Sequence, residues 1–330
     1  KGVRQKQPAP PFITSTLQQE ASRKLGFTGQ RTMRIAQMLY EGVDIPELGT
    51  TGLITYMRTD SLRISDEARS EGTDYIKSRY GADYLPEKPR FYKSRANAQD
   101  GHEAIRPSMP SLPPEKVEGA LSPEQFKLYK LIWDRFTASL MAACVQDTMQ
   151  VDIKAGDYIF KASGYTVRFD GYTVLYEEGR DEEDEESGAL PALEAGDLLD
   201  LLDLTPNQHF TQPPPRYTEA TLIRALEEYG IGRPSTYAPT ISTILSRDYI
   251  EREKKALKPT PLGEVITQLM KDLFSDIVDV AFTANMEKNL DNVESGELNY
   301  VETLRDFYGP FAAALAAAEQ KMDGTRVKVP

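Results

Sequence analysis

The sequence predicts a multi-domain α+β protein in three parts. These are a helical lobe around a tyrosine-centred motif, a β-rich segment, and a second helical lobe with a helix–turn–helix and a short basic wing. Three observations predict it. Phe126, Tyr129, Trp133, Phe136 and Leu140 recur at three- and four-residue spacing, the mark of one buried helical face. Composition then switches over residues 150–176 to β-branched and aromatic residues punctuated by Gly164 and Gly171. Helical spacing returns after Pro213, broken at Gly230-Ile231-Gly232 by a tight turn.

Residues 1–11 are basic and proline-bearing and read as an extended entry. Ser15 and Gln18 have capping-box spacing and open a helix that ends at Gly26, a natural C′ residue. A second helix covers about 30–40, with Met33, Ala36 and Leu39 or Tyr40 inward, and stops at Gly42. The run Gly52-Leu53-Ile54-Thr55-Tyr56-Met57-Arg58-Thr59-Asp60-Ser61 reads as a strand end breaking into a polar turn. Ser65 caps a helix through about Arg79, with Asp66 and Glu67 in the first turn, where the helix dipole favours acids. Residues 107–114 are a proline-rich loop, and Ser122-Pro123-Glu124-Gln125 starts the clearest helix of the chain.

Strands are expected over 150–154, 158–162, 165–170, 172–176 and 197–204, with hairpin turns at Gly164 and Gly171. Thr218 caps a helix with Leu222, Ala225, Leu226 and Tyr229 inward, and a second helix covers 234–246. Residues 249–260 form a β-wing carrying Arg252, Lys254, Lys255 and Lys258. Helix, glycine turn, helix and basic wing together describe a winged helix–turn–helix. Further amphipathic helices fill 263–322.

A chain of 330 residues can hold two or three lobes, each with a core of its own. Apolar content of 40% and charge of 27% are ordinary for a soluble protein, and no apolar run approaches the ~20 residues that span a membrane. No secretory signal is visible. The single Cys144 excludes disulfides and a cysteine zinc cluster within the chain, so an intracellular protein is expected. A net charge of −12 argues against simple coating of nucleic acid. Much of it is local: Glu177, Glu178, Asp181, Glu182, Glu183, Asp184, Glu185 and Glu186 face only Arg180, and read as a solvated loop or hairpin tip. Any surface for a polyanion must therefore be a local basic groove.

Tyr56 stands two residues from Arg58. A free phenol, with a pKa of about 10, is a poor nucleophile at neutral pH. A neighbouring guanidinium favours the phenolate and attracts phosphate, so the pair is chemically suited to attack a phosphodiester. The run around Tyr56 resembles, almost letter for letter, the active-site motif of bacterial type IA DNA topoisomerase I. Three further segments carry the same resemblance. They are Pro11-Phe12-Ile13-Thr14-Ser15-Thr16-Leu17-Gln18-Gln19-Glu20-Ala21, Gly101-His102-Glu103-Ala104-Ile105-Arg106-Pro107 and Gly230-Ile231-Gly232-Arg233-Pro234-Ser235-Thr236-Tyr237-Ala238. The Tyr-Met-Arg wording is closer to topoisomerase I and reverse gyrase than to topoisomerase III.

The resemblance implies a gated toroid that breaks and reseals one DNA strand without ATP, through a 5′-phosphotyrosine at Tyr56, and relaxes negatively supercoiled DNA. It places the catalytic-tyrosine domain at about 15–138, a β-rich arch or hinge domain at 1–14 and 139–212, and a helical, winged-helix-like base at 213–330. The transition state needs fixed cations on its non-bridging oxygens. Arg58 is the first candidate and His102, as phosphate donor or proton relay, the second. Arg106 and Arg233 can fork onto phosphates. Ser235, Thr236 and Tyr237 sit near a helix N-terminus, where backbone amides accept anions or side chains simply cap. Asp60 is expected to buttress Arg58 or its turn, and Glu103 to orient His102.

The family also uses a Toprim domain, with an Asp-x-Asp-x-Glu cluster for Mg²⁺, and C-terminal cysteine-rich zinc ribbons. Neither is visible in this sequence; Asp184-Glu185-Glu186 lies in a low-complexity acid run. The chain, opening at Lys1 without Met, reads as the body between those parts. The resemblance thus implies DNA and a Toprim domain of the same polypeptide as partners, Mg²⁺ ligands outside the chain, and a cytoplasmic, nucleoid location. Without Toprim the tyrosine lobe is expected to hang mainly from its hinge. Rival readings are a winged-helix DNA-binding protein without chemistry and a fragment of reverse gyrase.

Overall fold

The computed structural model describes residues 1–93, 101–181 and 188–323. Strand β1 (Gly2–Lys6) leads to α1 (Thr14–Glu20), whose last turn widens to π spacing over Ala21–Leu25 before Gly26 ends it at φ 65°. The cap differs from the Ser15–Gln18 box. The cap lies two residues earlier, at Ile13, whose N–H donates to Thr16 Oγ1 at 3.0 Å, and helix α1 starts at Thr14. Ser15 and Gln18 are instead buried. Helix α2 (Gly29–Glu41), capped by Thr28, stops at Gly42 and buries Thr32, Ile35, Ala36 and Leu39.

A small hairpin of β2 (Val43–Ile45) and β3 (Gly49–Thr51) follows. Helix α3 (Asp66–Arg79) carries the Ser65 cap, and α4 (Pro114–Val117) is a single turn. Helix α5 (Pro123–Leu140) opens on a reciprocal Ser122–Gln125 box and is buried almost all round in its second half, with Phe126 half-buried at its start. It runs through the main core, which gathers Phe12, Leu17, Ile35, Leu39, Leu53, Met57, Ile105 and the aromatic face of α5.

The β segment is simpler than its glycine pattern suggests. Strands β4 (Cys144–Ala155) and β5 (Tyr158–Phe169) form one long hairpin turned at Gly156, and β1 pairs with β4 on the other side. Gly164 is no turn. It pairs with Met149 inside β5, and a Cβ there would overlap the Gly188 carbonyl, so glycine lets a later strand of chain cross the sheet closely. Gly171–Val174 is a 3₁₀ turn rather than a strand. Residues 197–204 form no strand either; Leu198, Leu201, Leu202 and Leu204 project into solvent. Asp181 is the last described member of the acidic run; residues 182–186 lie outside the described residues.

Chain entry and exit meet at Arg135, itself buried. Its Nε donates to Pro10 O at 2.6 Å and its Nη1 to Tyr176 Oη and Glu178 Oε1, both at 3.1 Å. Tyr176 Oη in turn donates to buried Glu20 at 2.6 Å. Burial pushes the Tyr176 phenol well above its ordinary range, so it serves as a fixed donor.

Helices α6 (Glu219–Glu228) and α7 (Tyr237–Ser246) flank the turn at Gly230 and Gly232, both at positive φ. The antiparallel pair β6 (Ile250–Glu253) and β7 (Ala256–Pro259) follows, then α8 (Pro261–Leu273), α9 (Val280–Glu294) and α10 (Tyr300–Met322). Ile223, Tyr237 and Ile241 make a small core of their own. Tyr229, expected inward, is exposed, because the helix ends there and its ring has left the buried stripe.

The residues around Tyr56 are not held through the β segment alone, as expected of a lobe hanging from a hinge: α1 packs on α6 and α2 on α7. Gly29 donates its amide to Glu219 Oε2 at 2.8 Å, and Glu219 also pairs with Arg252 of the wing. Glycine at 29 eases this approach, since a Cβ would sit 3.3 Å from that of Ala238, closer than ordinary contact.

Two measurements test these contacts. Gly171 has φ +51° and a Cβ there would overlap the Ala143 carbonyl, whereas Gly156 has φ +61° and open space. Gly171→Ala is expected to lower unfolding free energy by more than about 2 kcal/mol and Gly156→Ala by about 1, read from denaturant midpoints. Thr14→Val strips a buried hydroxyl from the tyrosine segment and should cost about 1–3 kcal/mol by the same assay.

Candidate active site

The Tyr56 segment is not a strand. It is an extended stretch joined to the 101–107 loop by a single bridge, Ile54 to Pro107, with bends at Thr55, Met57 and Arg58; a second bridge, Phe12 to Ile105, ties that loop to the residues before α1. Backbone groups outside a sheet still need partners, and here hydroxyls supply several. Thr14 Oγ1 donates to Met57 O at 2.8 Å and accepts the Thr59 N–H at 2.9 Å. Thr14 N donates to Thr59 O at 2.9 Å. On the other side Thr55 Oγ1 donates to Ala104 O at 2.6 Å and accepts the Arg106 N–H at 3.0 Å. The tyrosine segment is thereby pinned both to α1 and to the loop that carries His102.

This pinning sets the geometry of the phenol. The Tyr56 ring lies 5.0 Å from the His102 ring, tilted at 41°, and 5.5 Å from Tyr40, edge to face at 66°. Tyr56, Arg58, Asp60 and His102 open onto a cleft of about 370 Å³, which Arg233 and Ser235 line from the other side. Arg58 is exposed, and among the described residues its guanidinium makes no hydrogen bond or ion pair. The His102 Nδ1 is buried without a partner among the described residues. A cation without an internal partner among the described residues and an imidazole therefore line the cleft beside the phenol.

Other expected residues are placed differently. Arg106 is buried and fully engaged: Nε donates to Glu103 Oε2 at 2.7 Å, Nη1 to Pro107 O at 2.8 Å and Nη2 to Ser65 Oγ at 3.3 Å. Its fork is used inside the protein, where it braces the His102 loop against the start of α3, and it does not line the cleft. Glu103 grips Arg106 and lies 3.8 Å from Arg63, so its carboxylate serves those guanidinium groups in place of the imidazole. Thr236 Oγ1 accepts the Arg233 N–H at 2.8 Å and closes the turn before α7, which is the capping alternative. Tyr237 is buried in the small core, its ring against Gly232. Ser235 alone of that triplet lines the cleft at Tyr56.

Arg233 does make a bidentate fork, but onto Asp291 of α9, with Nε to Oδ1 at 3.2 Å and Nη2 to Oδ2 at 2.7 Å. Burial works against the cation, yet the Asp291 hydrogen bonds and charge outweigh it and hold the guanidinium's pKa above its ordinary value. The wing is likewise tied down: Arg252 pairs with Glu219, and Lys258 lies near Glu251 and Glu253.

Four contributors escaped the sequence reading. Thr14 and Thr55 look like ordinary hydroxyl residues, and only the fold reveals which carbonyls they meet. Helical spacing offers Tyr40 only as an alternative to Leu39 for an inward position; Leu39 is the buried one, and the Tyr40 ring packs on Tyr56. Asp291 carried one usable signal: with Glu287 and Glu294 it forms an acidic stripe at helical spacing. Its partner lies 58 residues away in sequence, beyond any local pattern.

A family model described as DNA topoisomerase matches residues 1–305. The solved structure of full-length topoisomerase I from Thermotoga maritima, in a monoclinic crystal form, is similar with a TM-score of 0.82 at 39% identity. The match covers 95% of this chain and 51% of that one, so the chain spans about half the length of that relative. With the family match running over nearly its whole length and the fold reproduced, the chain belongs to the bacterial type I DNA topoisomerase family.

Proposed function

We propose that this chain is the strand-cleaving body of a type IA topoisomerase I, with Tyr56 as nucleophile. The observation that carries the proposal is the phenol of Tyr56 beside His102 at one cleft with the Arg58 guanidinium, which has no partner among the described residues. The Tyr56 oxygen attacks a DNA phosphorus in line. The bond from phosphorus to the 3′ oxygen breaks, the 3′ hydroxyl leaves with a proton, and a 5′-phosphotyrosine ester remains. One phosphate ester replaces another of similar energy, so resealing needs no ATP. Arg58 neutralises charge on the non-bridging oxygens, where fixed cations are worth most. His102 donates to the phosphate or relays the proton. Asp60 and Ser235 shape the cleft wall.

The tyrosine lobe over 15–138 is the part that swings, 1–14 and 139–212 form the arch and hinge, and 213–330 is the base. In the base, α6, α7 and the β6–β7 hairpin act as a winged-helix-like seat for a single-stranded segment of negatively supercoiled duplex. Membership of the family implies Mg²⁺. Among the described residues no group of three or more His, Cys, Asp or Glu can hold a metal ion. These residues do not fit a Mg²⁺ site, and no step above runs through one; a Toprim domain of the same polypeptide is the proposed source of the ligands. Among the described residues no helix is long and apolar enough to cross a membrane. The proposed place of action is the bacterial nucleoid.

Tyr56→Phe in the complete enzyme should bind DNA normally and form no covalent adduct; undiminished adduct on a denaturing gel removes Tyr56 from the mechanism. The chain alone should bind single-stranded DNA with an affinity that falls as salt rises, with a log–log slope of about −0.7 per phosphate contact. An affinity flat in salt would refute a phosphate-led interface. The chain alone with Mg²⁺ should leave a negatively supercoiled plasmid unrelaxed.

A further inference from the structure

We infer that Asp291 is an internal stand-in for a DNA phosphate, one that a strand entering the Tyr56 cleft must displace to reach Arg233. The inference rests on the strand-cleaving reading above and goes beyond it, assigning α9 the part of a competitor for the substrate's own contact.

The argument starts from the chemistry of the fork. Guanidinium presents parallel N–H groups whose spacing suits carboxylate and phosphate alike. The Nε and Nη2 edge of Arg233 is taken by both oxygens of Asp291, and Nη1 donates to Gly232 O at 2.7 Å. No fork edge is left for a phosphodiester while Asp291 stays. Arg233 and Asp291 both line the cleft that Tyr56, Arg58 and His102 share, so the occupied edge lies within the proposed path of the strand.

Core packing does not require the carboxylate. Helix α9 has no fully buried residue, and the Arg233 and Asp291 side chains are about a third and a quarter exposed, at 32% and 26%. The same edge of α9 continues in both directions. Glu287 accepts the Gly232 N–H at 3.1 Å and lies 3.6 Å from Arg233, and Glu294 lines the cleft beside Tyr56. A cleft proposed to take a polyanion is thus faced by an acidic stripe that uses up one of its cations. Arg58, without a partner among the described residues, meets the phosphate first. Arg233 joins only by exchanging one anion for another, which lowers affinity and eases release.

The test is a double-mutant cycle on the whole chain with a fluorescein-labelled oligothymidylate, read by anisotropy across a salt series. Asp291→Asn keeps shape and removes charge. It should bind roughly three- to tenfold tighter at low salt, with the slope of log affinity on log salt steeper by about 0.7, the signature of one added phosphate contact. In an Arg233→Ala background the same change should give no steepening. Asp291→Ser, which cannot form the fork, should follow Asp291→Asn. Affinity equal to or below that of the unaltered chain overturns the inference alone, as does a gain of the same size without Arg233, which marks a general charge effect. No binding by the unaltered chain at low salt overturns the strand-cleaving reading and the inference with it.

Discussion

The Tyr56 segment belongs to no helix or sheet, so its backbone polar groups must be satisfied by something other than a ladder. Scattered backbone bonds and the Thr14 hydroxyl carry that duty, and the Thr55 hydroxyl does the same for the adjoining loop. Thr14, fully buried at the start of α1, holds Met57 and Thr59 from one side, and Thr55 holds Ala104 and Arg106 from the other. Between them they fix where the phenol points and bring the His102 loop alongside. A strand would have aimed alternate side chains to opposite faces by its pleat; here bends and side-chain bonds do the aiming. A mutation that leaves the chemistry of Tyr56 untouched can therefore still misplace it.

Charge explains much of what surrounds the phenol. The protein is acidic overall, and three arginines that sequence alone offers to a polyanion are taken by carboxylates: Arg106 by Glu103, Arg233 by Asp291, Arg252 by Glu219. Arg58, beside the phenol, has no such partner among the described residues. Electrostatic attraction falls off over about 10 Å at moderate salt, so local placement matters more than net charge.

Much of this was legible in the sequence. The helix starts at Ser65, Ser122 and Thr218 could be read because capping is local, and the α5 face because its period is local. Tyr56, Arg58 and His102 could be read because their neighbours resemble a known motif. What could not be read was non-local. Gly164 looks like a turn until a distant segment is seen crossing it. Arg106 and Arg233 look like phosphate forks until Glu103 and Asp291 are seen filling them. The apolar run over 197–204 reads as a strand by composition, yet no neighbouring strand among the described residues pairs with it.

The seat of the tyrosine lobe has a consequence of its own. The lobe's main core and the small core around Ile223 are separate clusters, and between them lie a helix-end amide, the Glu219 carboxylate and the Arg252 guanidinium. Gln18, buried on α1 close to Gly29 and α7, adds an amide with no protein partner among the described residues. Parting the two cores would hand these polar groups to water, which hydrates them well, so this part of the contact costs less to open than an apolar seam of the same size would.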